Sequence, residues 1–252
     1  MCADQVQALL DRFTADIRRV VPLAALWAHG SLALGDFQPG RSDFDLVALV
    51  STDIADAQRR ELQRIHEVLI ADAPLADKLH CSYVICGQLA DAGRDHLTWA
   101  MGELFDRPVS PVSRRELSTG GLSLHGVAPA AVMPPVTDRE LADYIRADLR
   151  DYWYPATQKH ARWRQDIWVD LGLLTLARAA VTLRDGRLIT KREALDVLAG
   201  MEAPADVLRD IYQRRYEIGA PVSAAWHARR AELARTFVRT GIERVLASPP
   251  GS

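Results

Sequence analysis

The sequence predicts an α/β (α+β) domain with a mixed sheet, followed by an all-helical C-terminal domain. Three observations carry this. Apolar strand-like runs and helix-period segments alternate over the first 85 residues, an order that builds a sheet covered by helices. A proline-marked stretch, Val132-Met133-Pro134-Pro135-Val136, can continue neither a helix nor a strand. Beyond it the pattern is helical as far as Leu246, with breaks near Pro155, at Asp185-Gly186, at Pro204 and at Gly219-Ala220-Pro221. The expected domains are 1–135 and 136–252.

Residues 3–20 place Val6, Leu9, Leu10, Phe13, Ile17 and Val20 at helical spacing, and Pro22 ends the run. Leu23 to His29 reads as a buried strand that breaks at Gly30-Ser31. Asp36 to Arg41 (DFQPGR) is dense in turn formers. Phe44 to Val50 is a second strand, and Ser51-Thr52-Asp53 signals a helix running to about Ala71. Leu79 to Ile85 is a third strand. Trp99 to Phe105 is expected to be a helix, Ser113 to Ser118 a helical turn, and Leu122 to Leu124 a small edge strand. Thr137 and Glu140 form a capping box that opens the second domain. The Ser-Pro-Pro-Gly-Ser tail reads as disordered.

Composition narrows the function classes. The chain has 252 residues, 48% hydrophobic and 25% charged, with a net charge of −2. That balance gives no polyanion-binding signal, so nucleic acid is not a favoured partner. Cys2, Cys81 and Cys86 stand in no metal-ligand spacing and fit a reducing, cytoplasmic setting. No signal peptide is visible, and no apolar run approaches the roughly 18 residues of a membrane span.

The segment that carries chemistry is Gly30-Ser31, eleven intervening residues, then Asp43-Phe44-Asp45 at the head of an apolar strand. Residues two apart on a strand share a face. Asp43 and Asp45 therefore project together beside a glycine turn. Two carboxylates so close raise each other's pKa unless a cation lies between them. Hard oxygen donors suit Mg²⁺, which completes its shell with water and phosphate oxygens. Gly30 lets a ligand approach the backbone, and the Ser31 hydroxyl with nearby amides can bond phosphate. These are the parts of phosphoryl-group transfer. An isolated Asp-x-Asp is more often a turn; the conjunction with the glycine turn, Ser42 and the apolar strand is specific.

His29-Gly30-Ser31 through Ser42-Asp43-Phe44-Asp45-Leu46 resembles the signature of polymerase-β-like nucleotidyltransferases. Leu122 to Pro129 with Pro135-Val136-Thr137, and Leu174 to Lys191, are similar to the aminoglycoside 3''/9-adenylyltransferases, which modify streptomycin and spectinomycin. The resemblance covers most of the chain. It implies a nucleotidyltransferase first domain, ATP and Mg²⁺ bound between two lobes, and AMP moved to a hydroxyl of an aminoglycoside or aminocyclitol, a function in antibiotic resistance. By position, Asp43 and Asp45 would hold Mg²⁺, Gly30, Ser31 and Ser42 would meet the triphosphate, and Arg178 and Lys191 would reach the nucleotide phosphates. A two-lobed chain of this kind fits a monomer.

The chain departs from that pattern in two places. The family carries a catalytic glutamate on the strand after the linking helix; in Leu79-His80-Cys81-Ser82-Tyr83-Val84, His80 fills that slot. Three readings stay open: His80 is the base, Asp77 supplies a carboxylate, or the site binds nucleotide without transferring it. The family also holds its cationic drug with a tryptophan and acids at the start of the second lobe. Trp153, Asp166 and Asp170 are the candidates here, with Asp166 and Asp170 one helical turn apart. Lys159, His160, Arg162 and Arg164 lie among them and would repel a polycation. Transfer to another small molecule or to a macromolecule is the alternative.

Overall fold

The first helix, α1 (Ala3–Ile17), forms where apolar residues recur every three or four positions, and it buries Leu9, Leu10, Phe13 and Ile17. It stops a turn earlier than the spacing alone predicts. The N–H groups of Arg19 and Val20 bond to Asp16 and Ile17, three residues back, so the end tightens before Pro22. The computed structural model describes residues 3–218 and 222–248. Cys2, the Gly219-Ala220-Pro221 break and the Pro-Pro-Gly-Ser end of the tail lie outside the described residues. The chain divides into two compact units, Met1–Val136 and Thr137–Ser252.

The first unit is α+β. Its elements after α1 are β1 (Leu23–His29), the single turn α2 (Gly30–Ala33), β2 (Phe44–Val50), α3 (Asp56–Asp72), β3 (Leu79–Ile85), β4 (Asp95–Ala100), β5 (Glu103–Pro108), α4 (Pro111–Gly120), β6 (Leu122–Gly126) and α5 (Pro129–Val132). They build one six-stranded mixed sheet in the order β5-β4-β3-β2-β1-β6. Only β2 and β3 run parallel, joined through α3. Alternate residues of β2 feed two cores. Phe44, Leu46, Ala48 and Val50 pack with Phe13, Ile17, Leu62 and Leu69 of α1 and α3. Val47 and Leu49 face the other way, with Ala25, Trp27, Val84, Leu117 of α4 and Met133.

Two expectations need correcting. α3 starts at Asp56 rather than at the Ser51-Thr52-Asp53 signal; the Gln58 side-chain oxygen accepts the Ala55 N–H and sets the first turn. Trp99 to Phe105 is not a helix but a hairpin, with Trp99 opposite Leu104 and Ala100 opposite Glu103. Its two-residue turn, Met101-Gly102, has φ of 54° and 83°. Both positions are left-handed, as a tight hairpin matching the strand twist requires.

In the second unit every regular element among the described residues is helical: α6 (Asp138–Asp148), a π-type turn over Leu149–Trp153, α7 (Tyr154–Ala156), a 3-10 turn over His160–Arg164, α8 (Asp166–Asp185), α9 (Lys191–Gly200), α10 (Ala205–Tyr216) and α11 (Ala224–Ala247). The Thr137 hydroxyl accepts the Glu140 N–H at 3.1 Å and caps α6. An ion-pair network ties α8, α10 and α11 together. Arg230, with no exposed side-chain surface, donates to Asp210 at 2.8 Å and also to Asp166. Arg214 bridges Asp210 at 2.8 Å and Asp170 at 2.6 Å. No helix among the described residues is long and apolar enough to cross a membrane.

Candidate active site

The site is built at one end of the three central strands. β1 closes on His29, and the chain turns at Gly30 with a left-handed φ of 61°. A Cβ placed on Gly30 would collide with the Asp45 carboxylate and lie 3.4 Å from the Asp45 Cβ. Only glycine accepts both the backbone angle and the closeness of that carboxylate. The loop back to β2 is closed by Ser42, whose hydroxyl accepts the Gln38 N–H at 3.0 Å while its own N–H donates to Gln38 at 2.8 Å. Ser42 is buried and shapes the approach to Asp43. Asp43 stands immediately before β2 and Asp45 is its second residue.

Strand register places three polar side chains in a row. His29 is the cross-strand partner of Asp45, and Asp45 is the partner of His80. Asp45 shares the strand parity of Val47 and Leu49, so the row lies on the sheet face that α4 covers. From α4, Glu116 reaches His29: its Oε2 is 2.8 Å from His29 Nδ1, and the two side chains are 7% and 12% exposed. The His80 ring makes no hydrogen bond to any described residue. Asp77 is itself exposed, in the turn before β3, 4.0 Å from Lys78 Nζ.

The electrostatics follow from this packing. Burial pushes the Asp45 carboxyl above the usual range, because the charged form loses water. His29 and His80 oppose that shift, while Asp43 and Glu116 add to it. Asp43 and Asp45 are thus close enough to repel, which is the condition a divalent cation relieves. No group of three or more His, Cys, Asp or Glu among the described residues is arranged to hold a metal. Two carboxylates fit Mg²⁺, which needs only one or two protein acids when phosphates and water complete its octahedron.

Gly30, Ser31, Asp43, Asp45 and His80 therefore come together in the first unit. The remaining sequence candidates belong to the second. Arg178 is half-buried on α8, its Nε donating to the Ile189 carbonyl at 3.0 Å. Lys191 is the half-buried first residue of α9. Trp153 is buried edge-on to Trp168, ring centres 6.0 Å apart. Asp166 and Asp170 stand on successive turns of α8, each held by an arginine of the network above. Glu116 escaped the sequence reading, since it lies 87 residues from His29 and only the fold joins them. The His29 at the head of the glycine motif was the one available signal.

No protein-family model matches the chain, and no curated protein sequence matches it either. Among solved structures, the chain is similar to spectinomycin adenyltransferase AAD(9) from Enterococcus faecialis with ATP and spectinomycin. The TM-score is 0.73 and the identity 14%, over 94% of this chain and 98% of that one. The shared feature is the fold.

Proposed function

We propose that this chain is a Mg²⁺- and ATP-dependent nucleotidyltransferase that moves AMP from ATP to a hydroxyl of an aminoglycoside or aminocyclitol. One observation carries the reading: two acids at the head of β2, one pressed against a glycine backbone that leaves no room for a side chain. The similarity to an adenyltransferase fold supports it. Asp43 and Asp45 would hold the Mg²⁺, which when bound neutralises charge on the phosphate oxygens. Gly30 keeps the backbone open to the nucleotide, and the half-buried Ser31 offers its hydroxyl to a phosphate oxygen. His80, beside Asp45, accepts the proton of the acceptor hydroxyl as its oxygen bonds to the α-phosphorus and the bond to pyrophosphate breaks.

A second reading, nucleotide binding without transfer, is favoured because no described residue makes a hydrogen bond that orients the His80 ring. Pyrophosphate release separates the two. Purified protein with Mg²⁺ and ATP is expected to release pyrophosphate only when streptomycin, spectinomycin or another aminocyclitol is added, and Asp45→Asn and His80→Ala are expected to abolish it. ATP binding that depends on Asp45, without release under any acceptor, would leave the second reading.

A further inference from the structure

We propose that Glu116 is a positioning residue of this site, acting through His29. Its role in transfer rests on the nucleotidyltransferase reading; the pairing itself does not.

The argument begins with burial. A glutamate side chain only 7% exposed is uncommon unless paired, and this one meets His29 Nδ1 at 2.8 Å. A carboxylate accepts the proton on Nδ1, which fixes the tautomer and leaves Nε2 as the ring's acceptor nitrogen. A mere staple between α4 and the sheet is already present without it: Leu117 of α4 is fully buried against Ala25, Trp27, Val47 and Leu49 of the sheet. What the pair adds is control of one ring. That ring sits in register beside Asp45, at the last residue before the Gly30 turn. Glu116 belongs to no three-residue ligand group with Asp43 and Asp45. Its charge bears on Asp45 directly, while its directed contact is with His29. Of the two imidazoles flanking Asp45, His29 is braced by a carboxylate and His80 is not. The braced ring is the one whose geometry survives the arrival of a ligand, with Nε2 left as its accepting nitrogen.

The test uses full-length protein labelled with ¹⁵N in histidine, with His29→Gln to assign the signal. In the wild type, His29 is expected to carry its proton on Nδ1. In Glu116→Ala the proton is expected to move to Nε2, as in a free imidazole. Glu116→Met, of similar size and without an acceptor oxygen, serves if the alanine variant does not fold. Mn²⁺ with ATP is expected to broaden the wild-type His29 signal. In turnover, Glu116→Met is expected to lower kcat by about 10–100-fold with the KM for ATP nearly unchanged, and Glu116→Asp to recover part of the loss. An unchanged tautomer in the variants, a His29 signal left sharp by Mn²⁺ and ATP, or an unchanged kcat would each overturn the proposal. A wild type that shows the tautomer and the broadening yet releases no pyrophosphate removes the transfer reading and leaves the pairing standing.

Discussion

Replacing Gly30 by alanine attacks the feature on which the site is built. Two separable penalties arise. The left-handed φ of 61° costs an L-residue about 1–2 kcal/mol. The new Cβ then overlaps the Asp45 carboxylate, which must leave its rotamer at a further cost of about 0.5–1.5 kcal/mol. Together they predict a loss of about 2.5 kcal/mol, or roughly 5–10 °C in Tm for a protein of this size. Gly35 is the internal control. Its φ is 74°, but no atom lies within 4 Å of its built Cβ, so Gly35→Ala bears the backbone penalty alone. The functional gap is larger than the thermal one. Moving a reacting group by about 1 Å lowers a rate by roughly 10²-fold, so Gly30→Ala is expected to lose pyrophosphate release by that order while Gly35→Ala keeps it. Calorimetry and a coupled pyrophosphate assay on both variants read this out. A Gly30→Ala protein as stable and as active as Gly35→Ala would refute the close approach of Asp45 to the turn.

Three further outcomes follow from the packing. Asp45→Asn removes a carboxyl that burial disfavours in its charged form, so at neutral pH the variant is expected to unfold at the same or a higher temperature than wild type while losing Mg²⁺–ATP binding by calorimetric titration. His66 is buried against Trp99, its ring pushed down to about 3 by burial, with Nε2 at 2.8 Å from the Tyr83 hydroxyl. The unfolded chain takes up a proton near pH 6.5 that the folded chain refuses until about 3. Stability is therefore complete above that upper value and falls as pH drops through the window, by up to about 1.4 kcal/mol per pH unit; urea unfolding of His66→Gln should show a shallower acid slope than wild type. Arg230→Met removes one of the two arginines on the buried Asp210, which keeps Arg214, and is expected to destabilise the second unit by about 1.5–3 kcal/mol in chemical unfolding.

The motif was legible in the sequence because its parts are local. Gly30, Asp43 and Asp45 lie within one strand-turn-strand passage, and period-two spacing predicts both acids on one face. The strands Leu23–His29 and Phe44–Val50 were legible as apolar runs beside turn formers, and Leu79–Ile85 by its alternation. The β4–β5 hairpin was not, since its turn places Met101 at a positive φ where asparagine or glycine is the usual signal. β4 is also buried along nearly its whole length, which hides the alternation that marks a strand. The His29–Glu116 pair could not be read at all: it depends on α4 packing over β1, a tertiary contact that no spacing encodes. The arginine partners of Asp166 and Asp170 were hidden likewise, because Arg214 and Arg230 come from later helices.

The central claim is transfer of AMP, and mass analysis of the acceptor tests it most directly. Spectinomycin or streptomycin incubated with the protein, Mg²⁺ and ATP is expected to gain one AMP unit, with pyrophosphate formed in equal amount and nothing gained under Asp45→Asn. Acceptors left unmodified while ATP stays bound and intact, or an acceptor that gains a single phosphate instead, would contradict it.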